Sequence, residues 1–152
     1  MVSLGERLYE SYLKKLNNFT QSNKNVLLMP SVPQVEVLER ASLFITHAGM
    51  NSISEAIRNA VPCICIPLRV DQPMNALRLC DDLKLGKRFD PFQMRSDELA
   101  KAIENTLDDH NGFRERMIEM SAKCNQFNNG AEIASNLILK FINEKCVNKN
   151  GS

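Results

Sequence analysis

Short apolar runs alternate along this chain with longer amphipathic ones, and that alternation limits the fold more than any other feature. Leu43-Phe44-Ile45-Thr46 and Cys63-Ile64-Cys65-Ile66 are apolar nearly throughout rather than at every second residue. Strands built from them need cover on both faces. Val2 to Leu4, Val26 to Met29 and Lys87 to Phe89 are further short strand candidates. Between them lie helical patterns. Arg7 to Phe19 spaces Leu8, Tyr12, Leu13, Leu16 and Phe19 at helical intervals, and Gln34 to Arg40 sets Val35 and Leu38, with Ala41, on one side. Asn51 to Asn59 and Gln72 to Leu85 also read as helices. The last third is helical over Asp97 to Leu107, Phe113 to Phe127 and Ala131 to about Cys146. Buried strands separated by helices imply an α/β fold, a Rossmann-like doubly wound parallel sheet. One domain is expected over residues 1–147, with a polar, disordered tail over residues 148–152.

At 152 residues, with 43% hydrophobic and 24% charged side chains, the chain is long enough to bury a core of its own. Its 19 basic and 18 acidic residues nearly cancel, and the basic ones are scattered along helical stretches, so no nucleic-acid footprint is expected. No apolar run reaches the roughly 18 residues of a membrane span, and no basic-then-apolar leader opens the sequence. The five cysteines are odd in number, and Cys63 and Cys65 sit within an apolar run. Buried reduced thiols in a cytoplasmic protein fit that pattern better than a disulfide framework. The two histidines, His47 and His110, lie far apart with no cysteine at ligand spacing, so no metal site is expected.

In a doubly wound sheet, ligands gather where the carboxyl ends of strands lead into helices. The loops after residues 29, 46 and 66 are therefore the candidate sites. The middle one, Thr46-His47-Ala48-Gly49-Met50-Asn51-Ser52, ends a strand and opens a helix. Its unpaired amides and positive dipole end suit a diphosphate. Gly49 permits close backbone approach, His47 is able to donate to a phosphoryl oxygen, and Glu55 suits a vicinal diol such as ribose. A purely structural alternative exists, because Ser52-x-x-Glu55 also matches a capping box. The first loop, Ser31-Val32-Pro33-Gln34, has a proline turn as its alternative. In the third, Pro67-Leu68-Arg69-Val70-Asp71-Gln72-Pro73, Asp71 suits a helix N-cap with Pro73 in the first turn.

Taken together, in this order and spacing, the three segments resemble family 1 glycosyltransferases that use UDP-sugars. That family's donor-binding signature runs aromatic-x-Pro-Gln, then Thr-His-x-Gly-x-Asn-Ser-x-x-Glu after a strand, then Val-Pro, then Pro followed by Asp-Gln. The chain supplies Pro33-Gln34, Thr46-His47-Ala48-Gly49-Met50-Asn51-Ser52 with Glu55, Val61-Pro62, and Pro67 with Asp71-Gln72. The close match covers residues 31 to 75, and compatible helices continue to about residue 146. The resemblance implies the C-terminal, donor-binding half of a GT-B glycosyltransferase. It implies that Gln34 faces the ribose or the uracil edge. His47, Asn51, Ser52 and the backbone at Gly49 would hold the diphosphate. Glu55 would hold the ribose hydroxyls, and Asp71 and Gln72 the transferred sugar. A UDP-sugar is then a co-substrate, and no cofactor or metal is required.

Ser31 stands where the family usually has a base-stacking aromatic, an interaction worth about 1–3 kcal/mol, so recognition of the uracil is expected to be weaker. The resemblance also assigns the acceptor site and the catalytic base to an N-terminal domain that this sequence does not contain, so no catalytic residue is expected here. One strand unit of the donor domain, the first, is expected to be missing. Exposed sheet edges would then favour a homodimer. The implied function is donor binding for transfer of a hexose to a small-molecule hydroxyl. The alternatives are a donor-binding subunit of a split two-chain enzyme and a non-catalytic nucleotide-sugar module. A start at Met1 permits the split enzyme, whereas a truncated first strand argues for an excised domain.

Overall fold

A computed structural model describes residues 1–3, 6–126 and 130–147, and the chain divides into two units, Met1–Ser42 and Leu43–Ser152. In the first unit, β1 (Val2–Ser3) pairs in parallel with β2 (Leu28–Met29), Val2 lying opposite Leu28 and Ser3 opposite Met29. The crossover between them is α1 (Glu6–Ser22). Pro33, with φ at −70°, leads into α2 (Gln34–Leu38), and its carbonyl accepts the first helical bond from Val37 N–H at 3.1 Å. A proline fits there because that position has no helical donor to lose. Leu38 is the buried residue of this short helix.

The second unit runs β3 (Phe44–Thr46), α3 (Met50–Arg58), β4 (Cys63–Cys65), α4 (Gln72–Leu77), a π-helical turn (Arg78–Asp82), β5 (Gly86–Arg88), α5 (Ser96–Leu107), α6 (Phe113–Asn125) and α7 (Gly130–Val147). Its sheet is parallel in the order β3-β4-β5, with Thr46 opposite Cys65 and Cys65 opposite Arg88. The central strand β4 is buried at all three residues, as its unbroken apolar sequence requires. Gly86 on β5 is obligatory, because a Cβ there would run into the Cys63 carbonyl oxygen. Ile53 and Ala56 of α3, Ala76 of α4, Leu79, Leu85 and Met117 of α6 pack around the two β4 cysteines. Each large apolar side chain among them contributes about 1.5–3 kcal/mol on burial. Ser121 Oγ on α6 donates to the Arg58 carbonyl at 2.9 Å, closing the end of α3.

The parallel strands and intervening helices match the α/β expectation; the strands fall into two sheets, β1-β2 and β3-β4-β5, rather than one, and further differences lie at element ends. β3 excludes Leu43, β4 stops at Cys65, and β5 is shifted one residue earlier than Lys87 to Phe89. The helix expected over Gln72 to Leu85 stays α-helical only to Leu77. It then widens, and Leu83 N–H donates five residues back to the Arg78 carbonyl at 3.0 Å. The segment ends at Lys84, whose φ of 56° is left-handed, a usual way to terminate a helix. Leu4, at the end of the first expected strand, and the tail over residues 148–152 lie outside the described residues.

Cys63, Cys65 and Cys80 are buried free thiols, and Cys124 is exposed. Burial pushes the Cys63 thiol up to about 12, so it stays protonated and unreactive near neutral pH. The Cys80 thiol is raised as well, chiefly by its hydrogen bond with Cys65.

Candidate functional site

The site begins where β3 ends. Thr46 is buried, and its hydroxyl accepts from Ala48 N–H at 3.2 Å, which turns the chain sharply after the strand. Ala48 completes the turn with φ at 66°, a left-handed conformation that an alanine adopts at a cost. The exposed His47 sits at the tip of this turn. Gly49 then starts α3, its carbonyl accepting from Ile53 N–H at 3.0 Å. A Cβ on Gly49 would lie 2.6 Å from His47 Nε2. Gly49 was expected to admit a ligand to the backbone, and the room it leaves also accommodates the His47 imidazole.

The helix start also bears on whether Ser52 opens a capping box with Glu55. Gly49 is the N-cap residue of α3, so Ser52 is its third helical residue and is not placed to cap it. A capping box opened by Ser52 is therefore not formed, and the amides of Met50, Asn51 and Ser52 lie in the first turn, at the positive end of the helix, equivalent to about half an elementary charge.

The opposite wall comes from the loop after β4. Ile66 N–H donates to the Thr46 carbonyl at 2.8 Å, which keeps the two strand ends together. The loop is then folded onto Gln72, whose Oε1 accepts from Leu68 N–H at 2.9 Å and Arg69 N–H at 3.1 Å. Val70, between them and Asp71, is left-handed with φ at 62°, a strained conformation for a β-branched residue. Asp71 precedes α4 but does not cap it with its side chain. Its Oδ2 accepts instead from Asn75 Nδ2 at 2.7 Å, and Asn75 Nδ2 also donates to the Ala48 carbonyl at 3.2 Å.

Between these walls lies an open cleft of about 410 Å³ lined by His47, Gly49, Met50, Asn51, Ser52, Asp71 and Gln72. That volume falls in the usual range for small-molecule sites. The cleft thus brings together six of the eight residues read from the sequence. Glu55, half-buried and one turn further along α3, is not on its lining. Gln34 opens α2 in the first unit. Two residues went unnoticed in the sequence. Met50 is on the lining, and Asn75 ties the two walls through its amide. The signal for Asn75 was its i, i+4 spacing from Asp71 at a helix start. Chemically, the arrangement offers an anion a helix terminus and an imidazole, and offers hydroxyl groups a carboxylate and an amide, within one cleft.

A family model described as UDP-glucoronosyl and UDP-glucosyl transferase matches residues 10–125. NDP-glycosyltransferase YjiC of Bacillus licheniformis is 34% identical over 125 residues, covering 82% of this chain and 31% of that protein. The uncharacterized UDP-glucosyltransferase YdhE of Bacillus subtilis is 39% identical over 92 residues, covering 60% of this chain and 23% of that protein. Among solved structures, the glycotransferase of kitacinnamycin superposes with a TM-score of 0.70 at 32% identity, covering 76% of this chain and 29% of that one. UGT2 of Phytolacca americana, complexed with UDP-2fluoro-glucose and pterostilbene, superposes with a TM-score of 0.59 at 38% identity, covering 63% and 24%. The fold is thus the Rossmann-like α/β arrangement of GT-B glycosyltransferases, matched to their C-terminal part. The chain spans less than a third of the length of any of these four proteins.

Proposed function

Because the chain belongs to the UDP-glucoronosyl and UDP-glucosyl transferase family, we propose that its cleft is the donor site of a glycosyltransferase and receives a UDP-sugar. The observation that carries this reading is the start of α3 facing the same cleft as Asp71 and Gln72. The amides of Met50, Asn51 and Ser52, with His47, hold the diphosphate and stabilise charge developing on the UDP leaving group. They act in place of a cation, so the diphosphate is bound without metal. Asp71 accepts from, and Gln72 donates to, hydroxyls of the hexose. Glu55 takes the ribose diol and Gln34 the ribose or uracil edge. Ser31 offers the uracil no stacking surface, so discrimination among bases is shallow.

Transfer to a small-molecule hydroxyl depends on an acceptor-binding N-terminal domain, which holds the base. That domain is joined to this one in the same polypeptide or supplied by a second chain. By itself the present chain binds donor weakly and transfers nothing. Among the described residues no helix is long and apolar enough to cross a membrane, and we place the activity in the cytoplasm, in keeping with the reduced thiols.

Calorimetry with UDP, UDP-glucose and ADP tests the reading. Heat is expected with UDP, more affinity with UDP-glucose, and the weakest response with ADP. Glu55→Ala should lower UDP affinity by more than it lowers stability, as expected of a residue that holds the ribose. Absence of heat with millimolar UDP, from protein shown to be folded, would sink the proposal.

A further inference from the structure

Asn75 makes two hydrogen bonds from a single amide nitrogen, and they end on opposite walls of the cleft. One reaches the Asp71 carboxylate at 2.7 Å and the other the Ala48 carbonyl at 3.2 Å. The second partner is 27 residues away in sequence. Ala48 is fully buried and held by Thr46, so its carbonyl is a fixed point of the molecule. Asp71 is exposed, and its loop includes the strained Val70, so the bond from Asn75 is what restrains its carboxylate. An –NH2 group has two protons to give, and here both are spent inside the protein. A carboxylate bonded in this way to a rigid anchor loses rotamer freedom before any ligand arrives, which is how a binding group is preorganised.

We propose that Asn75 is a positioning residue. It sets the Asp71 carboxylate at a fixed distance from the turn that carries His47 and Gly49, and so couples the sugar end of the donor site to its diphosphate end. The inference rests on the donor-site reading above. It goes beyond that reading by assigning specificity for the sugar to a residue that touches no ligand. The turn that leads into α3 is also fixed by the Thr46–Ala48 and Gly49–Ile53 bonds, so the diphosphate end depends on Asn75 less than the Asp71 carboxylate does. Loss of the amide should therefore weaken recognition of the sugar and spare that of the nucleotide.

The test compares UDP with UDP-glucose on the wild type, Asn75→Ala, Asp71→Ala and the double variant. Asn75→Asp, similar in volume but lacking the amide donors, is kept in reserve should the alanine variant fold poorly. In wild type, UDP-glucose is expected to bind more tightly than UDP. In Asn75→Ala that preference should fall by roughly fivefold to tenfold, the effect of one hydrogen-bonding group, while UDP affinity stays within about twofold. Adding Asn75→Ala to Asp71→Ala should change the preference no further, since the two residues act as one unit. An Asn75 variant that keeps the preference, or losses that simply add in the double variant, would overturn the inference.

Ligand-free amide spectra separate this outcome from failure of the donor-site reading. Asn75→Ala should shift the Gly49 amide, which shares a peptide group with the Ala48 carbonyl, and Asp71→Ala should shift the Asn75 side-chain amide. If the wild type binds no UDP, the donor-site reading fails, and with it sugar positioning; the tie between the loops is then judged on these shifts alone. If neither resonance moves, the tie itself is refuted.

Discussion

The side-chain oxygen of Gln72 accepts from the backbone of Leu68 and Arg69, so under the proposed donor site its –NH2 group is the part that meets a sugar hydroxyl. Gln72→Glu keeps an oxygen for the two backbone donors and removes the amide protons, whereas Gln72→Ala removes both. We expect Gln72→Glu to unfold in urea close to wild type but to bind UDP-glucose no better than UDP. Gln72→Ala should lose the same preference and also about 0.5–1.5 kcal/mol of stability. A glutamate variant that still prefers UDP-glucose would remove Gln72 from the sugar site. At this scale the sequence was informative about residue type and less so about each residue's task. His47, Gly49, Asn51, Ser52, Asp71 and Gln72, which line one cleft, were named from the helix terminus and the family resemblance, each segment alone having a structural alternative. What Gly49 and Ser52 do was not readable, because it depends on a helix starting at Met50 rather than at the serine. A one-turn choice of that kind is decided by the Thr46–Ala48 turn. Asn75 was overlooked because its second partner is brought near only by the fold.

Among the elements, the turn from Arg78 to Asp82 departs most from what its sequence suggests. Ala76, Leu79, Cys80 and Leu83 keep α-helical spacing, and nothing local marks the widening into a π-turn. Its neighbour β5 supplies a tertiary reason. Arg88 on that strand donates from Nε at 2.8 Å and pairs from Nη2 at 2.7 Å, both to Asp81 Oδ2. The Arg88 guanidinium holds the Asp81 carboxyl below the ordinary carboxylate range, and Asp81 in turn raises Arg88. A carboxyl whose folded value is lowered stabilises the fold above its unfolded value, near 3.9, and that contribution is lost as pH falls through the folded value. Asp81→Asn should therefore be less stable than wild type at pH 7, and the gap should close as acid carries both proteins below about pH 4. The pair is partly exposed, so salt should narrow the gap at neutral pH. Urea titrations at pH 7 and in acid check this, and a gap that persists unchanged below pH 4 would assign the effect to packing. The strands were easier to read than this helix. Unbroken apolar runs such as Cys63-Ile64-Cys65-Ile66 have one comfortable place in an α/β molecule, whereas the end of a helix depends on what it meets.

On the scale of the whole molecule, the sheet of the second unit has two outer strands of different character. β5 presents exposed Lys87 and Arg88, charged residues of the kind that discourage pairing with another chain. β3 presents exposed Ile45 and no charge, and among the described residues no strand pairs with it on the side away from β4. An uncharged outer strand with an exposed β-branched residue is a ready template for a further strand. If it meets another copy of itself, the two must run antiparallel about a two-fold axis, since self-complementary contact between like edges requires that symmetry. We therefore expect the chain to form a weak dimer through β3. Light scattering should show a mean mass that rises with concentration, and Ile45→Lys should hold it at the monomer value without disturbing the buried Thr46 that fixes the turn after β3. A wild-type chain that stays monomeric across a wide concentration range would mean that β3 is covered in some other way. A dimer unaffected by Ile45→Lys would move the contact elsewhere, with the apolar side chains exposed on α7, among them Leu137, Ile138 and Ile142, the next surface to test.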